Sequence, residues 1–195
     1  MALTSRSLLR TAAIVAGLGL SVYLALILRY PSDRTPEGAY LRVVKAVNLG
    51  EPKEFFAYVE TAAQHASYTI RDYRKKTRDR VLAAYPEPER TKLARDYEAD
   101  AVAPDGSDVF AEHAQANGWV ALLRRDLSGI AHVEVEGERA SVVTVRGTRY
   151  AFRRRENGIW GMTLFTPALV ADAEKAARDF EQIERAAADY DRARK

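Results

Sequence analysis

The side chains able to do chemistry in this chain are few and scattered. It has three histidines and no cysteine, which removes thiolate metal sites, cysteine nucleophiles and disulfide scaffolds at once. His65 and His113 fall on different helical stretches, without the i, i+4 spacing by which one helix face grips zinc. His132 alternates with Glu134 and Glu136 on what reads as the polar face of a strand. No Gly-rich phosphate loop and no G-x-S-x-G turn occurs, and PDGSD at 104–108 has too few carboxylates at ligand spacing to hold calcium. These residue types predict no catalytic centre, no metal site and no cofactor.

Two patterns point instead to surfaces. In RDYRKKTRDR (71–80), Arg71, Arg74, Lys75 and Arg78 follow the i, i+3, i+4, i+7 rule and form one basic helical stripe. Near an anionic bilayer each such base contributes roughly 1 kcal/mol, so the four are candidate lipid contacts; paired with neighbouring acids they are simply a solvated face. The second pattern lies at the C-terminus. Leu169, Ala173, Ala176, Phe180, Ile183, Ala187 and Tyr190 recur at alternating spacings of four and three, a heptad seam. Glu174 with Arg178, and Glu181 with Arg185, add i, i+4 pairs in the favourable order. Leu169, Phe180, Ile183 and Tyr190 are the candidate contact residues of this helix, either with its own domain, with a second copy or with a protein partner.

The elements that position these surfaces begin with an anchor. Thr11 to Leu28 is free of charge, and 18 residues at 1.5 Å each reach roughly 27 Å, the hydrocarbon thickness of a bilayer. Arg6 and Arg10 precede the run as in a signal peptide, but its end, Leu24 to Pro31, lacks the small-x-small pair of a cleavage site. An uncleaved, single-pass signal anchor is expected, with the short basic head inside and the larger part outside the cytoplasm, as in a periplasm-facing protein of a bacterial inner membrane. Once Arg6, Arg10 and Arg29 are set aside, the rest of the chain carries 27 basic and 27 acidic residues. The pI of about 9.1 therefore reports the flanks of the anchor, and no nucleic-acid partner is expected.

The expected division is a basic head 1–10, a transmembrane anchor 11–29, a linker 30–36, an α+β domain 37–165 and a C-terminal amphipathic helix 166–195. Thr35-Pro36 opens a helix that stops at Gly50, and Pro52 starts a second one. Residues 62–85 stay helical until Pro86 and Pro88. Further helices are expected over 88–101, from a cap at Ser107 or Asp108 to Asn117, and from Trp119 to Leu127. Then the period changes from 3.6 to 2. Strands over 130–136, 140–145, 148–155 and 159–165, joined at Gly137, Gly147 and Gly158, make a four-stranded antiparallel meander. Val133, Val135, Val143, Val145, Tyr150, Phe152, Trp160, Met162 and Leu164 are expected to face inward, leaving Tyr150, and Arg154 at a strand end, as the ionisable groups there.

Two stretches, TPEGAYLRVVKAVNLGEPKEFFAYV and VEVEGERASVVTVRGTRYAFRRRENGIWGM, resemble the NTF2-like (SnoaL-like, cystatin-like cone) superfamily. The resemblance implies a bent sheet wrapped round a helix, with a pocket or dimer surface on its open side; the helical interval 62–127 departs from it, since members usually place a strand there. Enzymes of that superfamily are similar in carrying Asp, Glu, His or Tyr on the concave side, where this sheet is nearly all apolar. The expectation is a membrane-tethered, non-enzymatic interaction or scaffold module. The alternative is an NTF2-like enzyme or small-ligand carrier with an apolar pocket.

Overall fold

The fold is taken from a computed structural model that describes residues 31–194, together with Gly19, Ser21 and Tyr23. The expected anchor at Thr11 to Leu28 otherwise lies outside the described residues. Among the described residues no helix is long and apolar enough to cross a membrane.

Helix α1 (Pro36–Leu49) begins where Thr35 accepts a hydrogen bond from the Gly38 N–H and ends at Gly50, whose left-handed φ of 76° lets its N–H close on the last carbonyls. The segment Pro52–Tyr58 winds as a 3-10 helix. Helix α2 (Thr61–Ala84) follows. The single helix expected over 88–101 is two, α3 (Glu89–Asp96) and α4 (Glu98–Val102), broken at Tyr97. Its ring is taken up by the Arg74 guanidinium, 5.2 Å from the ring centroid. Asp105, rather than Ser107 or Asp108, caps α5 (Gly106–Ala116); Asp108 closes the capping box from the third position. Helix α6 (Trp119–Asp126) leads into the sheet.

The architecture is α+β, with strands β1 (Ile130–Glu136), β2 (Arg139–Thr144), β3 (Arg149–Arg154) and β4 (Trp160–Met162) in the order of an antiparallel meander. Val59 bridges Met162 in parallel, and the Glu60 N–H donates to the Met162 carbonyl, so the chain before α2 covers the β4 edge. Gly161 permits this approach. A Cβ there would stand 2.6 Å from Glu60 Cα.

Register corrects part of the expected inward face. Val133 pairs with Val142 and Val142 with Tyr150, so β2 turns Ala140, Val142 and Thr144 inward, alongside Tyr150, Phe152 and Met162. Val143 sits opposite His132 and Arg149 on the outer face. With valine at both 142 and 143, alternation alone does not set the phase of this strand. Val145 and Leu164 lie beyond the strand ends and are exposed, and Val135, near the end of edge strand β1, is exposed too.

The last helix, α7 (Thr166–Ala193), is continuous with the fold. Ala66 and Ala173, Tyr73 and Phe180, Arg80 and Glu184, and Tyr85 and Tyr190 meet in ascending order, so α2 and α7 run parallel. Both start in the main core, where Ala63, Ala66 and Ile70 of α2 and Leu169 and Ala173 of α7 join the sheet, α1 and α5. Both end in a second, smaller core of Val81, Ala84, Tyr85, Ala94, Ile183 and Ala187. At 24 and 28 residues these helices are roughly 36 and 42 Å long and form an arm with α3.

Candidate functional site

The heptad seam of α7 faces a matching series on α2. Ala63, Ala66, Ile70, Thr77, Val81 and Ala84 are all buried, against Leu169, Ala173, Ala176, Ile183 and Ala187. Small residues at most of these positions let the two backbones come close, and Phe180 and Tyr190 close the flanks on Tyr73 (5.9 Å) and Tyr85 (5.0 Å). All four candidate contact residues, Leu169, Phe180, Ile183 and Tyr190, therefore pack within the chain. A partner seated on this seam would have to displace α2.

The basic stripe is largely occupied as well. Arg71 donates to the Ala103 carbonyl (2.9 Å), Arg74 pairs with Asp179 (2.6 Å), and Arg78 stands 3.9 Å from Glu98. Lys75 is exposed. Arg80, outside the stripe, bridges Glu184 and Asp191, and Arg194 donates to the Ala84 carbonyl at the C-terminal end of α2. Parallel helices align their dipoles unfavourably, and a flank of ion pairs with a cation at a C-terminus offsets that. Of the four candidate lipid contacts, Arg74 thus ties α2 to α7, while Arg71 and Arg78 face α4 and the residue that follows it.

His113 carries the most specific electrostatics. Its Nε2 lies 3.3 Å from Asp100 of α4 and its Nδ1 3.3 Å from Asp172 of α7. Both ring nitrogens donate only in the imidazolium form. The hydrogen bond to Asp100 and the charge of Asp172 raise the pKa above its ordinary value, while burial opposes them. In its imidazolium form the ring pins three helices together. With its two nitrogens on separate carboxylates, it leaves no lone pair for a metal, and among the described residues no cluster of His, Asp and Glu has the shape of an ion site. Spacings of 13 and 59 residues give no sequence signal for this arrangement.

On the inward face of the sheet, Tyr40 and Tyr150 stack 5.7 Å apart. Tyr40 is the hydrogen-bonded member of the pair: its hydroxyl donates to the Ser128 carbonyl (2.7 Å) and accepts from the Ser128 N–H (3.2 Å). Burial, with the charge of Asp126, pushes the Tyr150 phenol up to about 12, so it remains protonated. Phe152, Trp160 and Met162 are buried beside it. His132 lies on the exposed face, as expected, with Nε2 3.2 Å from Glu134, which also takes Arg149 at 2.7 Å.

The stretch before α1 is fastened down rather than loose. The Trp160 indole donates to the Arg34 carbonyl (3.1 Å), Arg42 donates to the Pro31 carbonyl (2.8 Å), and the Thr35 N–H and hydroxyl close on the Ser32 carbonyl. Gly38 is required at this crossing, because a Cβ would stand 2.0 Å from the Ser32 oxygen. The chain matches no protein family, no curated protein and no solved structure.

Proposed function

We propose that this chain is a membrane-tethered, non-enzymatic interaction module of a bacterial cell envelope, anchored through Thr11 to Leu28 in the inner membrane with its bulk in the periplasm. The observation that carries this reading is the docked stretch 31–35. Trp160 and Arg42 hold it against the sheet and α1 only a few residues after the charge-free run ends. A tether so short and so fastened presents the α+β half and the arm to the bilayer in one orientation, which suits a scaffold more than a diffusing carrier. Two further features support it. The inward sheet face is filled by Tyr40, Tyr150, Phe152 and Met162, leaving an NTF2-like pocket little room, and Arg74 and Arg80 of the arm pair across to α7.

A reporter active only outside the cytoplasm, fused after Lys195, tests the reading together with fractionation. Activity with the full-length chain in the membrane pellet is the expected result. A shortened soluble form, or a reporter signal confined to the cytoplasm, overturns it.

A further inference from the structure

The outer face of the sheet carries charges that the fold leaves unused. Glu60, pressed against Gly161 at the head of α2, has a side chain only 8% exposed, and its nearest cation, Arg153 Nε, is 3.8 Å away, beyond hydrogen-bond reach. Among the described residues its carboxylate accepts no hydrogen bond. Arg139 stands directly opposite Glu136 on β1 and Arg153 on β3, and the like charges of the second pair repel. Neighbouring pairs show that this face can satisfy its charges: Glu134 on β1 takes Arg149 at 2.7 Å. Glu60, Glu136, Arg139 and Arg153 instead surround a groove of about 500 Å³ whose floor is kept low by Ser141 and Ala151.

We propose that this groove binds a small zwitterion bearing a primary ammonium and a carboxylate, as in a free α-amino acid or a short peptide. The carboxylate lies between the Arg139 and Arg153 guanidiniums, relieving their repulsion with charge-assisted hydrogen bonds. The ammonium supplies the donors that Glu60 lacks. Two acids and two bases line the groove with the Glu60–Arg153 pair, at 3.8 Å, too long for a hydrogen bond, so a ligand of zero net charge with its own charges separated fits better than a simple anion or cation. A quaternary ammonium has no N–H to give Glu60 and is excluded on that ground.

The test is calorimetric titration of the full chain in detergent with L-alanine, glycylglycine, betaine, acetate and methylammonium. Saturable binding of L-alanine or glycylglycine is expected, the tighter of the two telling a free amino acid from a peptide. Betaine and the single ions should bind at least about tenfold more weakly, the worth of one charge-assisted hydrogen bond. Arg139→Gln should weaken binding by a similar factor while leaving the melting temperature of the unliganded protein nearly unchanged, since it removes one repulsive neighbour, Arg153, and one attractive neighbour, Glu136, together. Glu60→Gln should lose preference for L-alanine over acetate. No saturable binding of either zwitterion, acetate binding as tight as L-alanine, or an Arg139→Gln variant with unchanged affinity would each overturn the proposal.

Discussion

Replacing His113 by alanine removes the pin that joins α4, α5 and α7. Two hydrogen bonds from a charged ring are lost. Asp100, 20% exposed, is left without its donor, whereas Asp172 at 42% is reached by solvent. The bond to Asp100 is of the kind that contributes about 1.5–3 kcal/mol, and the one to Asp172 falls nearer the 0.2–1 kcal/mol of a surface ion pair. A loss of about 2–4 kcal/mol is therefore expected at pH 6, visible as roughly 2–4 °C of melting temperature per kcal/mol in a domain of this size. The pH dependence has a definite sign. The folded-state pKa is raised above the ordinary 6.5, so this contribution is complete below about 6.5 and is lost as the pH rises through the folded value. Denaturant unfolding of the protein and of His113→Ala at intervals from pH 6 to about 9 should show their stabilities converging with rising pH. A gap that stays constant, or widens, would refute the assignment of His113 as an imidazolium held by two carboxylates.

Trp160→Ala should cost about 3–5 kcal/mol, as large aromatic deletions in a core do; by removing the donor to Arg34 it should also expose residues 31–35 to limited proteolysis. His132→Ala, on the outer face, should leave the unfolding midpoint where it is. Replacing Phe180 and Ile183 together by Asp places two carboxylates on the α2–α7 seam. Because that seam is internal, the variant should melt earlier while sedimenting with the mass of the parent, and a change of mass without a change of stability would return the seam to an intermolecular role.

Much of the α+β order was legible because local chemistry decided it: Thr35 with Pro36, Gly50, the prolines after α2, and the glycines at 137, 147 and 158. The phase of β2 was not, since neighbouring valines at 142 and 143 satisfy either face and only the partners Tyr150 and Val133 choose between them. The break at Tyr97 has no glycine or proline to announce it, and the Arg74 guanidinium that meets its ring comes from α2. The heptad seam was visible on α7 but its mate was not, because alanine and threonine at α2 positions 63, 66 and 77 do not announce a buried stripe. The basic stripe left two readings open in the sequence, lipid contact or a face paired with acids. Its partners Ala103, Asp179 and Glu98 lie too far along the chain for local spacing to name them. The site on the outer sheet face had no motif, because Glu60, Arg139 and Arg153 meet only once β2, β3 and the chain before α2 are aligned.

The parallel course of α2 and α7 also bears on the order of folding. Residues 85–165 separate the two helices, so the meander must form and return the chain to the head of α2 before α7 can align. Until synthesis reaches Leu169 and beyond, the stripe from Ala63 to Ala84 has only the cover of earlier residues such as Phe110 and Ala94, and closing so long a loop draws on entropy that local helix contacts do not repay. A chain stalled or truncated before the last helix would leave the α7 side of that stripe open to chaperones and proteases. Appending α7 as a separate peptide should then restore protection from the shared core outward, first at Ala66 and last at Tyr85, as followed by amide hydrogen exchange.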